Sequence, residues 1–317
     1  MTRYQAMRRQ RTRWIWITPW VWLPLFCTIA SAQTLFEKNP DLNRSLRNGL
    51  THLYDYHLTQ AERVFSQMVS RFPDRPIGYV HMAEIFWWKA LVTKRDKRLA
   101  QSFKRYTDYS LAKGKAILEK DSTDFYALLY VAEAYSNLSR FKATITRSYF
   151  GSVLAGLKGR RYNERAAELR PNYVDCLIGI GAFNYFSGAL PSVIKPFAFL
   201  IGARGDREEG IRQLELAAQK GEYGQFEARL VLLGVCFNER RFNDYIKMLF
   251  NMIDRHPSNP VFYMWLNNAF IKQKRFDEGI RFFNQWVEES GSGDGVRRPL
   301  RFLLKEKARL ESHKRKS

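Results

Sequence analysis

Cysteine is scarce in this 317-residue chain, with Cys27, Cys176 and Cys236 its only three. No paired C-x-x-C occurs, so the sequence specifies neither a disulfide framework nor a zinc ribbon. Histidine is almost as sparse. His52, His57, His81, His256 and His313 are the full set, and none stands in a metal-ligand pattern; His52 and His57, five apart, would face different sides of a helix. H-E-x-x-H and G-x-S-x-G are absent. Gly202-Ala203-Arg204-Gly205-Asp206 is glycine-rich at a helix start but lacks the lysine and following hydroxyl of a phosphate loop. These absences leave no residue to nominate for catalysis, and the sequence gives no reason to expect an enzyme, a cofactor or a bound metal.

Long apolar runs are lacking beyond the N-terminus, which excludes a later membrane-spanning helix. At the N-terminus, Arg3, Arg8, Arg9, Arg11 and Arg13 precede an apolar stretch from Trp14 to about Ala30, closed by Ala30-Ser31-Ala32. This pattern predicts a secretory signal peptide over 1–32, cut after Ala32 so that the mature chain starts at Gln33. An uncleaved anchor is the competing reading, and Pro19 and Pro24 argue against it by breaking the run. Export to the periplasm or cell envelope follows. It would permit a disulfide, but Cys176 and Cys236 each lie inside an apolar helical pattern and are expected as buried free thiols.

Acidic residues are also in deficit, 31 against 52 basic ones, for a formal charge of +21; removing the five signal-peptide arginines lowers it to +16. Residues 297–317 carry nine Lys or Arg against Glu306 and Glu311. For an exported protein, an acidic partner or an anionic membrane surface is the natural counterpart, and nucleic acid is disfavoured even though basic and aromatic residues interleave from Lys97 to Tyr109. Gly291-Ser292-Gly293-Asp294-Gly295 marks a flexible linker over 291–296. The 297–317 tail follows it as a basic amphipathic helix, whose Leu300, Leu303, Leu304 and Leu310 would cap a neighbouring structure or lie on a membrane. The cap is the reading taken.

What fills residues 33–290 is a recurrence of small and aromatic residues. Gly49, Ala61, Phe65 and Pro73 follow each other at intervals of 12, 4 and 8, a spacing that resembles the tetratricopeptide repeat. Small residues would sit where two helices cross closely, with an aromatic beside them and a proline past the second helix. Six such units can be traced, starting near Pro40, Pro76, Thr123, Asn172, Gln225 and Asn259. In the third, Ala166 and Pro171 come about 15 residues later than a minimal unit needs. The fourth carries an apolar insertion over 190–201. The predicted fold is an all-α, tetratricopeptide-like solenoid of about six helical hairpins with a C-terminal basic helix.

From Ile178 to Gly210 the sequence resembles the middle of the tetratricopeptide-repeat 39 family. The residues carrying the resemblance are Gly179, Gly181, Leu190, Pro191, Gly205, Asp206, Arg207 and Gly210. The resemblance implies an all-helical repeat protein with adaptor-like roles and no assigned catalytic activity. Each of these residues also has a structural reading. Gly179 and Gly181 permit close helix crossing, Asp206 with Glu209 forms a capping box, and Arg207 pairs with a carboxylate one turn on.

Repeat solenoids bind on the concave face formed by the first helix of each unit. The consensus places Glu84, Trp87, Trp88, Glu133, Asn137, Tyr185, Phe186, Asn268 and Lys272 on or near that face, with Trp87 and Trp88 as the aromatic anchors. The expected function is an exported scaffold for a protein or peptide partner. The alternative is a peripheral membrane protein held by the basic tail and the 190–201 insertion, which would otherwise plug the groove.

Overall fold

The computed structural model describes residues 39–93, 96–190, 200–291 and 299–316. The predicted signal peptide over 1–32, Pro191 with most of the 190–201 insertion, and most of the 291–296 linker lie outside the described residues. Within them the chain is all-α, and six helical hairpins succeed one another. They are α1 (Pro40–Tyr54) with α2 (Leu58–Arg71), α3 (Ile77–Thr93) with α4 (Lys97–Lys120), and α5 (Phe125–Phe141) with α6 (Tyr149–Leu169). There follow α7 (Cys176–Gly188) with α8 (Arg207–Lys220), α9 (Gln225–Asn238) with α10 (Phe242–Arg255), and α11 (Pro260–Lys272) with α12 (Phe276–Gly291). A last helix, α13 (Leu300–Lys316), packs against the sixth hairpin. The late arrival of Pro171 is explained by a 21-residue α6 and by a π-helical segment, Lys142–Thr146, joining it to α5.

The two helices of a hairpin are built differently. Second helices bury one stripe, as α10 does with Phe242, Tyr245, Ile246, Leu249, Met252 and Ile253. The first helix α3 buries residues on most of its circumference, Ile77, Val80, Met82, Ala83, Ile85, Trp87, Trp88 and Ala90 together with His81 and Glu84. A helix buried on so many sides must be enclosed by its neighbours. The hairpin crossing needs small residues as the sequence predicts: a Cβ on Gly49 would lie 2.5 Å from Phe65 Cε1, so α1 passes over that ring only with hydrogen there.

The repeat is also written in the turns. Tyr56, Arg240 and Lys274, each between the helices of a hairpin, adopt φ of 60°, 57° and 54°. In each, the next amide reaches five residues back: His57 N to His52 O (2.8 Å), Arg241 N to Cys236 O (2.8 Å) and Arg275 N to Phe270 O (3.0 Å). This is the Schellman closure, here with no glycine at the left-handed position. Arg240 and Lys274 are one period of about 34 residues apart, the tetratricopeptide length. A second signature recurs where hairpins meet, with Tyr79 Oη donating to Pro73 O (3.1 Å) and Tyr263 Oη to Pro257 O (2.9 Å). Because α1 ends at Tyr54, His52 and His57 are not on one helix. Their ring centroids are 6.1 Å apart, contrary to the expectation that they diverge.

The array closes on itself. Tyr54 at the end of α1 stacks on Phe226 at the start of α9 with centroids 3.7 Å apart. His256 Nδ1 lies 2.8 Å from Asp55 Oδ1, and Asn259 Nδ2 donates to Tyr54 O (2.8 Å). Inside this closure Trp88 of α3 meets Phe262 of α11 edge-on at 6.1 Å. The concave face is therefore filled by the first helices of the chain itself, and one core cluster joins hairpins one, two, three, five and six with α13. At the C-terminal end Leu303 and Leu310 of α13 are sealed inward, and Asn267 Nδ2 donates to Glu306 O (3.0 Å) and to the Glu306 carboxylate. Cys176 and Cys236 are buried free thiols, the latter 3.8 Å from Met248 Sδ.

If closure contributes to stability, Tyr54→Leu and Phe226→Leu should be coupled. A double-mutant cycle followed by chemical denaturation is expected to return a coupling of about 0.5–1.5 kcal/mol. Strict additivity would mean that the first and fifth hairpins do not hold each other.

Candidate functional site

The most heavily charged place in the core is formed by three first helices. On α3, His81 and Glu84 are one turn apart and both buried. On α5, Glu133, Asn137 and Arg140 follow at i, i+4 and i+7, so one face carries all three. From α9 comes Glu227. The Arg140 guanidinium joins the helices: Nη2 donates to Glu84 Oε1 (2.9 Å) and Asn137 Oδ1 (2.8 Å), and Nη1 donates to Glu227 Oε2 (2.5 Å). Its Cζ lies 4.0 Å above the Trp87 ring, whose Nε1 donates to Thr144 Oγ1 (3.0 Å). His81 Nδ1 is 2.9 Å from Glu84 Oε2 and 3.5 Å from Glu133 Oε1, with its ring stacked on Phe65 at 5.0 Å. Glu84 is the floor of the cluster, 2% exposed at its side chain, and Glu133 at 29% is its opening to solvent.

Carboxylates outnumber cations here, and the proton affinities record it. Burial pushes Glu133 up, His81 opposes, and the Glu84 and Glu227 charges add to the rise, taking it to about 8. Burial likewise raises Glu227, against Arg140. For Glu84 burial is outweighed by the hydrogen bond and charge of His81 and by Arg140, so it stays below the usual carboxylate range. Burial would lower His81, but Glu133, Glu84 and Glu227 together hold it above its ordinary value.

Of the nine residues placed on the concave face, Glu84, Trp87, Glu133 and Asn137 converge in this cluster. Trp87 and Trp88 are corrections to the expected anchors. At 3% and 0% exposed they are core, because closure turns the concave face inward. Tyr185 is also fully buried, donating from Oη to Glu239 Oε1 (2.6 Å). Phe186 is 46% exposed, Asn268 is half-buried, and Lys272 is exposed with Nζ 4.4 Å from the Phe237 centroid.

The described motif residues of 178–210 make packing and capping contacts. Gly181 and Gly210 face each other where α7 crosses α8, and a Cβ on Gly210 would come 2.5 Å from Tyr185 N. Gly205 meets Asn184 O, Gly179 meets Asn163, and Leu190 packs by Leu157 and Phe183. Asp206 accepts from Glu208 N and Glu209 N (both 2.9 Å), but Glu209 does not reach back as a capping box requires; it holds Arg212 and Gln213. Arg207 pairs across to Glu239, past the end of α9, rather than within its own helix.

His81, Arg140 and Glu227 were missed by the sequence reading, which also found no histidine in a ligand set. The structure brings a donor atom from each of His81, Glu84 and Glu133 within 4.8 Å of the others. A signal was present in the repeat itself: Ala83-Glu84 and Ala132-Glu133 occupy the same place on successive first helices. Nothing in the sequence announces that Arg140 and Glu227, 87 residues apart, meet.

No protein-family model matches the chain, and no curated protein matches it in sequence. Among solved structures, it is similar to a thermophilic tetratricopeptide repeat protein from Thermus thermophilus, at a TM-score of 0.41 and 15% identity over 72% of this chain and 98% of that one.

Replacing Arg140 by methionine would keep bulk over Trp87 while stranding Glu84 and Glu227. The variant is expected to lose about 3–5 kcal/mol of unfolding free energy, read by urea denaturation. A loss below about 1 kcal/mol would show that the guanidinium does not hold the three helices together.

Proposed function

We propose that the chain is an exported helical-repeat scaffold that binds a protein partner along its outer rim in the periplasm or cell envelope. The observation carrying this reading is an exposed strip at the C-terminal ends of α7, α9 and α11. Phe186 reaches to within 3.6 Å of a Cβ placed on Gly234; Phe237, one turn further along α9, is 41% exposed; and Lys272 from α11 covers Phe237 and, at 5.1 Å, Phe242. Aromatic faces held at the surface by rigid helices, with a cation over them, offer contact area at little entropic cost. Two of the three residues, Phe186 and Lys272, are ones the repeat consensus nominates. The resemblance of residues 178–210 to the tetratricopeptide-repeat 39 family supports an adaptor role, and the arginine-led N-terminus with Ala30-Ser31-Ala32 supports export.

The membrane reading keeps its charge but loses Leu303 and Leu310, which are packed inside, while Leu304 stays exposed. No helix among the described residues is long and apolar enough to cross a bilayer.

A photo-crosslinking side chain at position 186 or 237, in cells that make the protein, should capture a discrete partner. The same group at Tyr109, equally exposed on α4, should not, and Lys272→Glu should weaken the adducts. Indifference to position would count against the rim. Separately, the intact mass of the protein from the envelope fraction should correspond to a chain beginning at Gln33. A chain retaining Met1 would count against cleavage.

A further inference from the structure

The charged cluster has the composition of a cation site. Three carboxylates, Glu84, Glu133 and Glu227, share a largely buried place with Arg140 and His81, and buried carboxylates persist only when paired, protonated or bound to a metal. The donor geometry is compact. Nδ1 of His81 stands 2.9 Å from Glu84 Oε2 and 3.5 Å from Glu133 Oε1, and all three donors fit within 4.8 Å. Donors sharing one tetrahedral ion at about 2.0–2.1 Å stand about 3.3 Å from one another. The spacing needs only small movements of two carboxylates.

Two further observations are independent of the acidic count. Asn137 Nδ2, on a side chain only 5% exposed, is a buried polar atom with no hydrogen-bond partner among the described residues, and Glu227 Oε1 is unpartnered as well. Asn137 is fixed at the cluster by Arg140 through its Oδ1, which leaves its amide N–H free to donate to a water carried by a bound ion rather than to ligate the ion itself. Buried groups left this way ordinarily face a water or an ion. The ligands are also supported from behind: Arg140 fixes the second oxygen of Glu84, and Phe65 holds the His81 ring. Such outer contacts orient metal ligands.

We propose that His81, Glu84 and Glu133 form a binding site for one divalent transition-metal ion. One imidazole and two carboxylates suit zinc or manganese, whereas magnesium prefers oxygen alone. Three protein donors leave a coordination position on the side where Glu133 opens to solvent, available to water or to a donor of a bound molecule. The bound ion would join α3 to α5 and stabilise the fold.

Calorimetric titration of the metal-stripped protein with zinc chloride, paired with thermal unfolding, tests this. The unmodified chain should take up one zinc ion and its unfolding midpoint should rise with zinc, while magnesium chloride should do neither. Glu133→Gln, at a partly exposed position, should bind zinc at least about a hundredfold more weakly. A His52→Ala, His57→Ala variant, which removes the other close imidazole pair, should bind as the unmodified chain does. Absence of stoichiometric zinc uptake by the unmodified chain overturns the proposal whether or not any variant folds. So does uptake that survives Glu133→Gln and vanishes with His52 and His57, or magnesium binding as tight as zinc.

Discussion

The guanidinium of Arg140 sits where three first helices meet, and the rest of the structure is arranged around it. It spans from α5 to Glu84 on α3 and Glu227 on α9. The neighbours of those two carboxylates are the residues that pack the closure: Phe226, beside Glu227, stacks on Tyr54, and Trp88, one turn after Glu84, contacts Phe226 and Phe262. Charge and packing thus act on the same backbone segments. A buried ion pair of this kind is a weak source of net stability, but an incomplete one is costly, so it specifies which helices meet.

The hairpins were legible in the sequence because they depend on local spacing. Gly49, Ala61, Phe65 and Pro73 are visible as residue types at fixed intervals. Two classes of feature were not. The left-handed turns at Tyr56, Arg240 and Lys274 carry no glycine or asparagine, so the usual marker of a helix stop is missing. Contacts across the closure join residues about 200 positions apart, as with Asp55 and His256, and no local period encodes them. That is also why Trp87 and Trp88 were assigned to the right face with the wrong exposure: a consensus gives the direction of a side chain, and only the path of the superhelix decides whether that direction leads to solvent. The capping pair at Asp206 was half legible, since a side chain can cap its own helix while its partner finds a better cation in Arg212.

With the inner face filled, the surfaces left for partners are edges and outer helices. The rim formed by Phe186, Phe237 and Lys272 belongs to three successive hairpins, so its continuity depends on the stacking of α7, α9 and α11 rather than on any one helix. The acidic cluster shares only α9 with that rim, its other residues coming from α3 and α5. In a chain that is basic overall, these three carboxylates are gathered in the interior around Arg140 and His81.

Closure also sets a count. An open spring of hairpins can gain or lose a unit by duplication or deletion, because each hairpin touches only its neighbours. Here His256 must arrive opposite Asp55 and Asn259 opposite the Tyr54 carbonyl, and one hairpin more or fewer between them would carry those partners out of reach. The number of units between these partners is therefore frozen by geometry.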